Sequence, residues 1–424
     1  MPATAIPTPL LADGPVLLTG ATGFVGMELL ARYLERTDRT VYALVRAPDE
    51  AAAQARLLAA AAQVVPSAHR YADRLVAVRG DIAAPGLGLA VRQRDALARE
   101  IVEIVHAAAS VAFTLPLPQA REINVGGTRR LLELARRAQR HGGLRRFAHV
   151  STAYVAGAHR GRFREDDLDV GQRHRNAYER TKWEAELLVR AQMDRLPIQV
   201  FRPSIVVGER DSGWTPAFNV IYAPLRAFAR GATLPLMPAR RTAPVDVVPV
   251  DYVADAIFEL TRRPTGAGET YALAAGERAS TVGELLDLAA GTFERRRPIA
   301  LAPALYRRTV HRALLRRSAG DRRRWLERSE AFHPYLAVRT RYDTRRARAA
   351  LAPAGLDVPP LTGYFDRLVD YALATDWGRA PMSRVEAADG RRRRRPRPLR
   401  TGRAASAQRI ARVRRELEHA RTRA

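Results

Sequence analysis

Lys182 is the only lysine in a chain of 424 residues whose Lys and Arg together number 71. Arginine serves at every other basic position, so the site at 182 needs a compact ammonium where a planar fork will not do. Tyr178 lies four residues earlier, and the surrounding Glu179, Trp183, Glu184, Ala185, Leu187 and Leu188 read as helix, which puts Tyr178 and Lys182 on one face. A free phenol ionises near a pKa of roughly 10. A neighbouring ammonium favours phenolate and lowers that value, which makes the tyrosine a better proton donor near neutral pH. The pair therefore predicts general-acid chemistry. A third candidate is Thr152, at the end of the apolar run Arg146 to Tyr154. At the C-terminal end of a strand its hydroxyl would lie beside the Tyr-Lys helix and could bond a substrate carbonyl oxygen. Ser151 is the rival for that role, and either hydroxyl could simply begin a turn.

These residues need elements to hold them. Val16-Leu17-Leu18 runs directly into Thr19-Gly-Ala-Thr-Gly-Phe-Val-Gly26, and Met27, Leu29, Leu30, Tyr33 and Leu34 then recur at helical spacing. The pattern is strand, glycine turn, helix. Gly20 permits the tight turn, Gly23 lets backbone approach a pyrophosphate, and Gly26 lets the helix pack on the strand, with the helix N-terminus facing phosphate charge. Dinucleotide binding is the expected use. The second strand, Val41 to Val45, ends at Arg46. An acid there would accept the ribose hydroxyls of NAD, whereas an Arg accommodates the 2′-phosphate of NADP, so NADPH is expected in preference to NADH.

The alternation continues through a third strand within Arg74 to Asp81, a helix from about Ala90 to Glu100 and a strand over Ile101 to Val105. His106-Ala107-Ala108-Ala109-Ser110 follows with small residues over which a cofactor could lie flat, while His106 itself reads as a strand cap. Asn124 opens an amphipathic helix, Pro197 to Gly208 contains another buried strand, and Val245 to Asp251 precedes a helix near Tyr252. The expectation is an α/β fold, a doubly wound parallel sheet over residues 14–290. A smaller, mainly helical substrate or membrane-proximal region is expected over 291–380, followed by a disordered Arg-rich tail over 381–424. Trp214, Phe218, Tyr222 and Phe228 lie among Gly and Pro, which suits either a segment closing over an apolar substrate or ordinary packing.

The formal charge of +27 would ordinarily point to nucleic acid or an anionic membrane. Residues 391–424 hold 14 Arg against Glu416 and Glu418, so nearly half of the excess is tail. A peripheral membrane contact, through the tail or through an amphipathic helix bearing Leu305, Tyr306, Val310, Ala313 and Leu314, ranks above nucleic acid. The plainer reading of that helix is a solvated face on the core. There is no cysteine, and the nine His show no metal-ligand spacing, so no metal is expected. Met1 to Gly14 lacks a basic start followed by an apolar run, and no stretch approaches about 18 uncharged apolar residues, so a cytoplasmic protein is expected.

TGATGFVG, HAAAS, STAYVAG, YERTK and RPSIVVG together make the chain resemble an extended short-chain dehydrogenase/reductase over roughly residues 14 to 290. Within that superfamily, LVRA at Leu44 to Ala47, FTLPLPQAREINVGGT at Phe113 to Thr128, and YERTKWEAE are similar to the thioester reductase and fatty acyl-CoA reductase branch, also called male-sterility-like. The resemblance implies a catalytic set of Thr152, Tyr178 and Lys182. It implies a cofactor site of Gly20, Thr22, Gly23, Phe24, Val25, Gly26, Arg46, Asp81, Ile82, Ala107, Ala108, Ala109, Asn124, Tyr178, Lys182, Pro203 and Ser204. The implied reaction is NADPH-dependent reduction of an acyl thioester to aldehyde or alcohol. The 13 residues before the first strand have no room for an adenylation or carrier domain, so the acyl group is expected on coenzyme A or a separate acyl carrier protein. An NAD(P)-dependent dehydrogenase or epimerase of a sterol- or nucleotide-sugar-type substrate is the alternative on the same fold.

Overall fold

Seven short apolar runs form one parallel sheet: Val16–Thr19 (β1), Val41–Val45 (β2), Leu75–Arg79 (β3), Glu103–His106 (β4), Arg146–Val150 (β5), Ile198–Pro203 (β6) and Thr270–Leu273 (β7). The computed structural model describes residues 14–218, 220–231 and 235–393. Every strand pairing in this sheet is parallel, and the spatial order is β7-β6-β5-β4-β1-β2-β3. Parallel strands are covered on both faces, which is why their sequences are nearly continuous in apolar residues. Val16, Leu17 and Leu18 are 0 % exposed, as are Ile104, Val105, Phe147 and Ala148. Each such side chain contributes about 1.5–3 kcal/mol by leaving water.

The chain passes from β1 to β2 and β3 on one side and then crosses to β4 on the other, so the order reverses between β1 and β4. Ligands of open α/β sheets bind in the crevice beyond the strand ends at such a reversal. Phe24–Arg36 (α1) follows β1, Glu50–Val64 (α2) follows β2, and Val91–Glu100 (α3) precedes β4. Leu117–Arg121 (α4) runs through a π-helical turn, Glu122–Gly126, into Gly127–Arg140 (α5), and Ala177–Arg190 (α6) lies between β5 and β6. The helix Val250–Thr261 packs on α1 through an edge-to-face contact of Tyr33 with Phe258 at 5.3 Å, while Arg32 bonds Asp255 at 3.0 Å.

Two compact units form, and they interleave in sequence. The first comprises Val250–Ala274, Tyr342–Val358 and the described part of Met1–Val206. The second comprises Val207–Pro249, Ala275–Arg341 and the described part of Pro359–Ala424. The sequence suggests three consecutive stretches, 14–290, 291–380 and 381–424; linear order does not show Val207–Pro249 leaving the first unit or Tyr342–Val358 returning to it. In the first unit the returning segment is held by Glu165, whose carboxylate accepts backbone N–H bonds from Ala272 (3.0 Å), Arg346 (2.7 Å) and Ala347 (3.0 Å).

Within the second unit Trp214, Tyr222 and Phe228 are buried. Phe218 stacks on Tyr371 at 6.1 Å and meets Tyr222 edge-on at 5.0 Å. These four aromatics are spent on packing. The Arg-rich stretch forms Pro303–Tyr306 and Arg312–Arg316 around a π-helical turn, Arg307–His311. Its buried members are Tyr306 and His311, and Leu305 is 52 % exposed, so the apolar face read from spacing is not the buried one. The chain is helical over Arg384–Arg393, inside the segment expected to be disordered from 381. The rest of the tail, 394–424, lies outside the described residues. Among the described residues no helix is long and apolar enough to cross a membrane.

Candidate active site and cofactor site

The glycine loop joins β1 to α1 as its sequence requires. Gly20 has φ +77°, and a Cβ there would lie 2.8 Å from the Ala108 nitrogen and 2.9 Å from the Ala107 carbonyl carbon. Only glycine combines that left-handed backbone with so close an approach of the loop after β4. A Cβ on Gly26 would collide with the Gly20 carbonyl oxygen and come within 2.5 Å of its carbon. Gly23 is exposed, caps α1 without a side-chain hydrogen bond and turns tightly, its N–H donating to the Gly20 carbonyl at 2.8 Å. Thr22, Phe24 and Val25 are half-buried around it. Backbone of both loops at the sheet reversal thus forms a narrow cradle, and the dipole of α1 points its positive end into it.

Arg46 leaves the end of β2 with its side chain 76 % exposed, 4.0 Å from Asp81. Asp81 fixes its own turn, accepting from the Ala83 N–H at 2.9 Å, and Ile82 is buried against Gly127. Ala107, Ala108 and Ala109 are half-buried after β4. Thr19 organises that loop: its hydroxyl accepts from the Ala108 N–H at 3.2 Å and bonds His106 Nδ1 at 2.8 Å. His106 also meets the Thr128 hydroxyl at 3.1 Å, and burial pulls its pKa down to about 3. It is a neutral structural histidine. Ser204, next to Pro203 at the end of β6, keeps a buried hydroxyl with no hydrogen-bond partner. An unmet buried hydroxyl at a strand's C-terminal end fits a polar ligand there.

Asn176 caps α6, accepting from the Glu179 N–H at 2.9 Å, and Glu179 in turn accepts from the Arg175 N–H at 2.8 Å. Such a cap is worth about 1 kcal/mol and sets where the helix begins. It therefore sets where Tyr178 and Lys182 stand. Asn124 sits in the π-helical turn. Its amide donates to the Ser110 carbonyl (3.1 Å) and the Thr181 hydroxyl (3.0 Å), and its oxygen accepts from the Ser110 N–H (2.8 Å). The inserted residue aims that amide at both the loop after β4 and α6.

Thr152, Tyr178 and Lys182 come together. The Thr152 backbone is extended, so the Ser151 and Thr152 side chains diverge and meet different residues of α6. Ser151 donates to Glu186 at 2.6 Å, whereas the Thr152 hydroxyl lies within hydrogen-bonding reach of the Tyr178 hydroxyl and draws its pKa down. Thr152 also donates to the Pro203 carbonyl at 3.4 Å. The ring of Phe113 lies 5.6 Å from that of Tyr178.

The electrostatics differ from the expectation for a Tyr-Lys pair. Burial of the hydroxyl pushes the Tyr178 pKa up to about 12, outweighing the Thr152 contact. Burial also pulls the Lys182 pKa down to about 8, with Glu186 opposing it, and the ammonium donates to the Val150 carbonyl at 2.8 Å. The lysine is thus engaged by the strand end, and desolvation decides the sign at the phenol. Sequence spacing missed two neighbours. Glu186 continues the 178, 182 face by one more turn, a signal that was available. Phe113 lies in a loop and gave none.

A family model described as male sterility protein matches residues 18–257, more than half of the chain. The chain belongs to the male sterility family. The family module is an NAD(P)-binding domain of the extended short-chain dehydrogenase/reductase kind, in the branch that holds thioester reductases and fatty acyl-CoA reductases. Among relatives, the non-canonical nonribosomal peptide synthetase FrzA of Cladobotryum sp is 29% identical over 387 residues, 85% of this chain and 36% of FrzA. Fatty acyl-CoA reductase 1 of Xenopus laevis is 31% identical over 277 residues, 57% of this chain and 53% of the reductase. The chain therefore spans about a third to a half of these relatives. Among solved structures, the terminal R domain from the myxalamid PKS-NRPS biosynthetic pathway aligns with a TM-score of 0.73 and 27% identity, covering 88% of this chain and 94% of that domain.

Proposed function

We propose that this male sterility family member is an NADPH-dependent reductase of an acyl thioester, with Thr152, Tyr178 and Lys182 as its catalytic residues. The observation that carries the reading is the convergence of the Thr152 hydroxyl on that of Tyr178, one helical turn from a buried Lys182, in the unit that holds the glycine cradle. The names of the relatives supply the substrate class: peptide synthetases and a fatty acyl-CoA reductase handle acyl groups held as thioesters.

The dinucleotide would be held by the Gly20 to Gly26 cradle, Arg46, Ser204 and Lys182, and when bound it supplies the hydride. The rest falls to the chain. The hydroxyls of Thr152 and Tyr178 bond the carbonyl oxygen, and their hold tightens as that oxygen gains negative charge. Tyr178, with a pKa of about 12, keeps its proton at neutral pH and has it available to give. The Lys182 ammonium steadies the phenolate left behind. The resulting hemithioacetal loses its thiol to give an aldehyde, and a second reduction of that aldehyde would give the alcohol. Coenzyme A or an acyl carrier protein is the thiol carrier this reading requires.

The test is turnover of acyl-CoA esters and carrier-bound acyl thioesters by the wild type, Tyr178→Phe, Thr152→Ala and Ser151→Ala. Loss of one catalytic proton donor costs about 10²- to 10⁴-fold. Tyr178→Phe should show that loss, with Thr152→Ala well below Ser151→Ala. Retention of most turnover by Tyr178→Phe would remove the general acid, and a larger loss in Ser151→Ala than in Thr152→Ala would reverse the hydroxyl assignment.

A further inference from the structure

Val150, the last residue of β5, and the next two residues are met by three successive turns of α6. Lys182 holds the Val150 carbonyl at 2.8 Å, Glu186 holds the Ser151 hydroxyl at 2.6 Å, and Tyr178 faces the Thr152 hydroxyl. Glu186 is 0 % exposed. Its carboxylate accepts from Arg202 Nη2 at 2.7 Å, from Arg202 Nε at 3.1 and 3.2 Å, and from Arg190 Nε at 3.0 Å. Arg202 is itself held, donating to the Asp167 carbonyl at 2.6 Å with its guanidinium 5.3 Å from the centre of the Phe163 ring. The carboxylate is thus fixed from β6 and presents an oxygen to β5.

We propose that Glu186 is a positioning residue of the catalytic set, which locks Ser151 so that Thr152 faces Tyr178 and supplies the buried negative charge that keeps Lys182 an ammonium. The proposal rests on the assignment of Thr152, Tyr178 and Lys182 made above. If Ser151 were released, rotation of the strand end would carry Thr152 with it, since adjacent side chains of an extended segment turn together. The charge argument follows from what surrounds the lysine. On its own helix stand Tyr178 and Glu186. From β4 and β5 come His106 and His149, both fully buried and both held neutral by burial. Arg202 and Arg190 pair with the Glu186 carboxylate, and of these neighbours Glu186 alone favours the charged lysine.

Since Lys182 is the only lysine, full-length protein grown on ¹³C,¹⁵N-lysine carries one labelled side chain, and its titration can be followed by NMR without substrate or cofactor. The wild type should titrate near 8. Glu186→Gln should move the midpoint down by about one pH unit or more, which is a tenfold loss of ammonium at fixed pH. Glu186→Gln leaves Arg202 buried without its partner, so the double variant Glu186→Gln with Arg202→Met guards against misfolding. It should show the same downward shift. Ser151→Ala should leave the titration in place and lower kcat for thioester reduction several-fold with KM little changed, and Glu186→Asp should recover part of the wild-type midpoint. An unmoved lysine titration in both Gln variants would overturn the charge role, and wild-type kcat in Ser151→Ala would overturn the positioning role. Because the titration is read without turnover, either result stands apart from a failure of the thioester assignment, which Tyr178→Phe reports.

Discussion

Replacing Gly26 and Gly23 by alanine, one at a time, should separate two jobs done within a single loop. At Gly26 the added methyl meets backbone, the Gly20 carbonyl, with its carbon 2.5 Å away, and no rotamer can relieve that contact. Overpacking of this kind costs roughly 1–3 kcal/mol. For a cooperative unit of about 150–250 residues each kcal/mol moves the melting temperature by about 2–4 °C, so Gly26→Ala should melt about 2–12 °C below the wild type. At Gly23 the methyl would stand 3.2 Å from the Gly20 oxygen, with the backbone at an ordinary φ of −97°. That site can give by a few tenths of an ångström, so stability should change by less than about 1 kcal/mol. The methyl nevertheless projects where a pyrophosphate must approach backbone, and dinucleotide affinity should fall about tenfold or more, roughly 1.4 kcal/mol. Thermal melts without ligand and fluorescence titration with NADPH measure the two quantities separately. A wild-type melt for Gly26→Ala, or a Gly23→Ala protein that binds dinucleotide normally, would refute the cradle geometry.

Arg46→Ala should abolish a preference for NADPH over NADH of roughly 10- to 150-fold, the value of a charge-assisted contact of about 1.5–3 kcal/mol; equal cofactor affinities in the wild type would remove the assignment. Activity should be level through neutral pH and fall as pH rises through about 8, because Lys182 is an ammonium below that value and loses its proton above it, while Tyr178 at about 12 remains protonated throughout; a rate that climbs between pH 8 and 9 would contradict this order. Asn124→Ala should lower kcat and loosen the loop after β4, since three hydrogen bonds to Ser110 and Thr181 are lost, and hydrogen exchange at Ser110 reports the loosening. Unchanged exchange there would remove Asn124 from the support of the site.

What could be read in the sequence was whatever local spacing encodes. The glycine loop, the strand-end alanines and the Tyr178-Lys182 face are contiguous patterns whose backbone consequences follow from a few residues, and the structure builds them as expected. Three things required the folded chain. Which residue of α6 each adjacent hydroxyl meets, Glu186 for Ser151 and Tyr178 for Thr152, follows from how α6 packs on β5, and the two are equivalent in sequence until then. The direction of the Tyr178 shift depends on burial, and no spacing rule weighs desolvation against a neighbouring charge. The interleaving of the two units depends on β7 returning to the sheet after a long excursion, which linear order conceals. Glu186 lies between these cases: its place on the helix face was legible, but its meaning appears only once Arg202 and Ser151 arrive from two different strands.

The most direct measurement is product analysis with full-length protein, NADPH and a panel of acyl-CoA esters, carrier-bound acyl thioesters, nucleotide sugars and sterols. The account predicts that free thiol appears in an amount equal to aldehyde plus alcohol from a thioester substrate, with one NADPH consumed per aldehyde and two per alcohol, and that Tyr178→Phe loses thiol and reduced product in parallel. NADPH oxidation without thiol release, or turnover confined to a sugar or sterol, would contradict it.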